Sequence, residues 1–212
     1  MPYLFNRSAR LAPGNLLDTM AWAVKMTEKV NTVVDLDVRL WGRVLGAQTG
    51  TLSWSTIVTD IAELTVIDEK LMADGGYTDL AEEGARYQDA TGINDTLVRL
   101  VHPDPDGVDS AQYASITTTV LAPGMMAAGI ALGVELAQRI KSITGRPTSF
   151  GSSVTGRFGE VGFIVLSDTI DEVQGVTEAL AGDADWISRL DGQASKVFVA
   201  GATEHMITRR LA

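Results

Sequence analysis

Apolar positions along this 212-residue chain follow two rhythms that alternate in a fixed order. Tyr3 to Ala9 reads as a strand, and Pro13-Gly14 marks the break before a helix. In that helix Leu17, Met20, Ala21, Val24, Val30 and Val33 or Val34 recur at three-to-four spacing, with Lys25, Glu28 and Lys29 on the wet side. Period-two alternation returns over Val38 to Leu45 and Thr51 to Val58, across a Gly46 to Gly50 hairpin. Asp60 and Glu63 have capping spacing for a second helix striped by Ile61, Leu64, Ile67 and Leu71, which Asp74-Gly75-Gly76 stops. A short helical piece from Tyr77 to Tyr87 and a strand from Asn94 to His102 complete the set. Right-handed crossovers turn this order into a four-stranded antiparallel sheet with both helices on one face, a ferredoxin-like βαββαβ unit.

The plan then starts again. His102-Pro103-Asp104-Pro105-Asp106-Gly107 cannot continue either kind of element. The expected organisation is therefore repeat 1 over 1–102, a linker over 103–110 and repeat 2 over 111–212. Leu11-Ala12-Pro13-Gly14 recurs as Leu121-Ala122-Pro123-Gly124, and Tyr113, Val134, Ile140 and Ile143 answer Tyr3, Val24, Val30 and Val33. After a hairpin one residue shorter, Ile170, Val173, Val176 and Leu180 answer the second stripe, Thr169 and Glu172 repeat the cap, and Asp183-x-x-Trp186 repeats Asp74-x-x-Tyr77. A stripe, a cap and a stop kept in register predict an internal duplication. The helices cover one face of each sheet, and the other face alternates residues such as Leu52, Trp54, Val161 and Phe163. Two antiparallel sheets packed face to face would hide them, giving an α+β barrel with helices outside and side chains or a ligand between the sheets.

The Pro-Gly pair opening the first helix (Leu11 to Gly14), the Trp in Gly50-Thr51-Leu52-Ser53-Trp54 and the Leu71-Met72-Ala73-Asp74-Gly75-Gly76-Tyr77 closure resemble the NIPSNAP-like branch of the dimeric α+β barrel superfamily. The resemblance covers the whole chain twice over and rests on structural punctuation rather than catalytic residues. It implies the barrel fold; the superfamily also holds antibiotic-biosynthesis monooxygenases, EthD-like proteins and chlorite dismutase-like haem proteins, among which fold alone does not choose. The second half departs from the pattern in carrying Phe163 for the Trp.

Composition narrows the partners. A formal charge of −10 and a pI near 4.6 work against nucleic acid and anionic membranes, whose phosphates are met by Lys and Arg. The absence of cysteine removes disulfides, thiolate nucleophiles and cysteine metal sites. No signal-like apolar run opens the chain, so a cytoplasmic protein is expected. Ser110 to Val134 carries no charge, but Thr117-Thr118-Thr119 and Pro123-Gly124 interrupt it, and a buried strand and helix are expected there rather than a membrane span.

The two halves differ most on their second strands. Arg39, Trp41 and Arg43 share one face by alternation, where Ser149, Gly151 and Ser153 stand in the other copy. They could present two guanidiniums and an aromatic plane to an anionic or aromatic small molecule, or simply protect a sheet edge. Trp22, Trp54, Trp186, Tyr77 and Tyr87 could line a pocket for an aromatic substrate, Trp54 foremost, or belong to the core. His102 and His205 are the only imidazoles; without a clustered set of carboxylates they predict no metal, and haem through either is not expected, so no cofactor is assigned. The candidate ligand-binding residues are thus Arg39, Trp41, Arg43, Trp54 and His102, with no catalytic residue assigned. Gly156, Gly159 and Gly162 span a hairpin and do not form a phosphate loop. Three functions fit: a small-molecule binding protein with its ligand between the sheets, a cofactor-independent monooxygenase or isomerase-like enzyme, and a structural protein with a filled interior. A homo-oligomer is compatible with each but required by none.

Overall fold

The computed structural model describes residues 1–14 and 16–212. It contains β1 (Tyr3–Leu11), α1 (Leu16–Val34), β2 (Arg39–Leu45), β3 (Thr51–Val58), α2 (Ile61–Met72), α3 (Gly75–Gly84) and β4 (Gln88–His102). There follow β5 (Tyr113–Val120), α4 (Met126–Thr144), β6 (Thr148–Ser153), β7 (Glu160–Ser167), α5 (Ile170–Gly182), α6 (Ala184–Arg189) and β8 (Glu204–Arg210). The strands hydrogen-bond in the order β1-β3-β2-β8-β5-β7-β6-β4, closing as an antiparallel barrel, so the fold is α+β as the alternating rhythms predict.

Two compact units make up the chain. Unit 1 comprises residues 1–44, 48–97 and 210–212, and unit 2 comprises 45–47 and 98–209. The division falls inside β4, whose later residues Val98 to His102 pair with β6.

In unit 1, β3 pairs with β1 and β2, placing Arg7 and Leu40 on either side of Trp54. That face receives α1, and Ala9, Leu40, Leu52 and Trp54 pack with Trp22, Ala23 and Met26. The buried side of α1 is Thr19, Trp22, Ala23, Met26, Thr27 and Val34, whereas the predicted Leu17 is 83% exposed. Aromatic packing accounts for the rotation: Trp22 meets Trp54 edge-on at 5.9 Å and Tyr87 at 5.6 Å. Ring contacts of this kind add to the area they bury.

In unit 2 the same face gathers Phe150, Val161, Phe163 and Val165 against Leu132, Leu136, Ala137 and Ile140 of α4. Gly133 lets α4 approach the Phe150 ring, which a Cβ at that position would meet at 2.1 Å. Helix α5 opens with the expected capping box between Thr169 and Glu172, and Asp60 caps α2 by accepting from the Glu63 N–H. Asp74 and Asp183 do more than end helices. Each accepts a backbone N–H three residues on, from Tyr77 and Trp186, and so begins α3 and α6. Each also holds a cation of the long helix: Lys29 lies 2.7 Å from Asp74, and Arg139 lies 3.0 Å from Asp183.

Candidate functional site

Each unit carries a partly open cavity between its sheet and its helices. The sequence pattern instead places a ligand between two sheets, because periodicity marks a residue as inward-facing without saying whether it packs or lines a void.

The larger cavity, about 630 Å³, belongs to unit 2. Leu136 and Ile140 of α4, Val176 and Leu180 of α5, and Trp186 of α6 line its helical side. A single π-helical turn, Leu190–Ala194, adds Leu190 and Ala194. Such turns recur at functional sites. The sheet side differs in character: Ser115, Thr117 and Thr119 stand at alternate positions of β5, beside Thr203 and His205. His205 Nδ1 lies 2.8 Å from Thr117 Oγ1, and the hydroxyls of Thr119 and Thr203 are 2.9 Å apart. Partial burial lowers the His205 pKa from its ordinary 6.5, so its ring is neutral near pH 7. The cavity is therefore an apolar chamber with one polar stripe and a single titratable side chain. A signal for the stripe exists in the sequence, in the hydroxyls at every second position of a strand whose helix-facing side should be apolar.

The unit 1 cavity, about 370 Å³, lies among Trp22, Met26 and Val30 of α1, Trp54 of β3, Leu64, Ile67, Asp68 and Leu71 of α2, and Tyr77 of α3. Arg7 and Asp95 also line it, the Arg7 Nε and Nη2 donating to the two Asp95 oxygens at 2.8 and 2.7 Å. That bond is the chief reason the Arg7 pKa is raised, against the opposing effect of burial.

Of the residues singled out from sequence, Trp54 lines the unit 1 cavity, and its indole N–H donates to Thr27 Oγ1 at 2.9 Å. Arg39 and Trp41 sit one register step away, on the opposite side of the sheet. The buried Arg39 is ion-paired with Asp37, and Trp41 Nε1 donates to Ser55 Oγ at 2.9 Å. His102 ends β4 opposite Phe150. Arg39, Trp41, Arg43 and His102 line neither cavity. Among the described residues no group of three or more His, Cys, Asp or Glu is placed to hold a metal ion, and no helix is long and apolar enough to cross a membrane.

No family model matches the sequence, and no curated protein matches it. Solved structures do share the fold. A monooxygenase candidate from Fusobacterium nucleatum subsp. nucleatum superposes with a TM-score of 0.72 at 11% identity, covering 100% of this chain and 93% of that one. An anthrone oxidase-like protein gives 0.62 at 14% identity, covering 99% and 90%. A haem-binding protein from Thermus thermophilus gives 0.56 at 11% identity, again covering 99% and 90%. These are folds of the dimeric α+β barrel type.

The last of them overturns the expectation that no cofactor belongs here, since a protein of this fold binds haem. In unit 2, His205 is the side chain that would hold such a group. In the tautomer whose Nδ1–H donates to Thr117 Oγ1, the neutral His205 ring keeps the Nε2 lone pair free, the arrangement in which metal-bound histidines are commonly oriented.

Proposed function

We propose that the protein binds a flat, predominantly apolar small molecule in the unit 2 cavity. The carrying observation is the pairing of an apolar helical wall with a stripe of hydroxyls that includes one neutral imidazole. An aromatic ring system would lie against Leu136, Phe163 and Trp186, and a polar edge would meet Thr117, Thr119 and His205. On an aromatic substrate bearing a phenolic or enolic hydroxyl, His205 would act as the general base through Nε2 in the neutral tautomer whose Nδ1–H donates to Thr117. The monooxygenase candidate and the anthrone oxidase-like protein among the neighbours support an oxidative role for this scaffold. Titration with anthrone, followed by Trp fluorescence and by its absorbance in air, tests the reading. Saturable binding that His205→Ala weakens supports it; equal behaviour of the two proteins rejects the assignment of His205.

A second reading is favoured by the Thr117–His205 bond. His205 would hold haem iron through Nε2, with the apolar walls around the macrocycle. Haem bound there would supply oxygen or electron-transfer chemistry. Titration with hemin distinguishes the readings: a sharp visible band that His205→Ala abolishes selects haem.

We also read the two units as copies of one ancestral half, within the NIPSNAP-like branch of the superfamily. Support comes from Lys29–Asp74 and Arg139–Asp183, which bridge corresponding elements at nearly constant sequence displacement, and from the Pro-Gly and Trp54 punctuation.

A further inference from the structure

We propose that the unit 1 cavity is a second ligand site, independent of the one in unit 2, and that it takes a small organic cation carrying an aromatic ring. Three features of this cavity lead there. Four aromatic residues, Phe5, Trp22, Trp54 and Tyr77, are among those that line it. Both indole N–H groups are already engaged within the protein, Trp54 with Thr27 Oγ1 and Trp22 with the Leu80 carbonyl at 2.8 Å. The rings therefore offer carbon surface and π density rather than donors, which is what a cation or an aromatic ring seeks.

The charged groups of the cavity add up to one excess negative charge. Arg7 is matched by Asp95 through a two-point bond, and Asp68 on α2 lines the same cavity as a further carboxylate. An ammonium group near Asp68 would complete the balance, whereas a carboxylate ligand would meet two carboxylates and a guanidinium that is already engaged. Among the described residues, no carboxylate lines the unit 2 cavity. The two sites thus select opposite chemistry: a neutral polar edge in one, a positive group in the other.

Asp68 is exposed, so Asp68→Asn tests the charge without disturbing the core. The probes are 2-phenylethylamine and, as an anion of similar shape, 3-phenylpropionate, each titrated calorimetrically into the whole protein. The amine is expected to bind saturably, about tenfold more tightly than the acid. Asp68→Asn should weaken it about fivefold, as for loss of one partly screened ion pair. Ala81→Leu, which fills space on the cavity wall, should abolish binding, and His205→Ala should leave it unchanged. No saturation by the amine up to about 10 mM, acid and amine binding alike, or an unchanged affinity in Asp68→Asn would each overturn the proposal. Loss of amine binding in His205→Ala would do so too, by moving the ligand to unit 2. Anthrone or hemin binding is read separately, so failure at one cavity leaves the other reading standing.

Discussion

Thr117 Oγ1 and His205 Nδ1 stand 2.8 Å apart at directly opposed positions of β5 and β8. The folded chain accepts a proton on this ring less readily than the unfolded chain, because burial has lowered its pKa. Unfolding is then favoured by acid: as pH falls through about 6.5 the unfolded state takes up a proton that the native state refuses, and the loss levels off below the folded pKa. Thermal melts from about pH 8 to 5 should show this decline, and His205→Gln should be flatter over the same window. Parallel curves would remove His205 as its source.

Glycines on two helices of unit 2 should respond to alanine with opposite signs. Gly133→Ala gains helix propensity, worth about 1 kcal/mol, but forces a methyl into the Phe150 ring, and overpacking typically costs about 1–3 kcal/mol. Phe150 is fully buried among well-packed neighbours, so net destabilisation is expected. Gly175 on α5 has nothing within 4 Å of a built Cβ, and Gly175→Ala should stabilise by about 0.5–1 kcal/mol. Urea unfolding midpoints of the two variants check both.

Asp104 anchors the segment after β4. It accepts from Lys141 Nζ at 3.0 Å and from the N–H groups of Thr148 and Asp106. Burial pushes its carboxyl pKa up, but these donors outweigh it and hold the pKa below the ordinary value. Its contribution is therefore present above about pH 4 and lost as pH falls through the folded pKa. Asp104→Asn should cost about 1–3 kcal/mol at neutral pH, and the gap to the parent should narrow in acid denaturation.

Thr27 is buried on α1 and links two elements through its hydroxyl, which donates to the Ala23 carbonyl and accepts from Trp54 Nε1. Thr27→Val keeps the shape but strands a buried indole N–H, a loss of about 1–3 kcal/mol. Thr27→Ser should recover most of it, as measured by chemical denaturation.

How far the fold could be read in advance follows from which signals are local. The helix caps and the alternating strands survive into the structure because each depends on neighbours within a few residues, whereas the second stripe survives in part, with Ile61 49% and Ile170 46% exposed. Leu71 is buried as its spacing requires, and Thr169 forms its capping box. The orientation of α1 was not legible, since Thr19 and Thr27 are buried polar residues and the choice of face is decided by Trp22 meeting Trp54 from a distant strand. Strand β4 begins at Gln88, six residues before the apolar pattern suggests. The two cavities were invisible for a different reason: Leu64 and Leu180 belong to apolar stripes like any packed residue, yet they border empty space. Of the aromatic residues that the sequence offers as pocket lining, Trp22, Trp54 and Tyr77 border the smaller cavity and Trp186 the larger, Tyr87 borders neither, and His205 is the titratable group of the larger one.

Asp183 closes α5, opens α6 and is gripped by Arg139 from α4. Three helices consequently meet at one carboxylate, and the Trp186 N–H hangs from it directly. The position of an aromatic side chain beside the larger chamber is thus governed by a joint outside that chamber, so a substitution at Asp183 would act on the Trp186 side of the chamber without changing any residue that lines it.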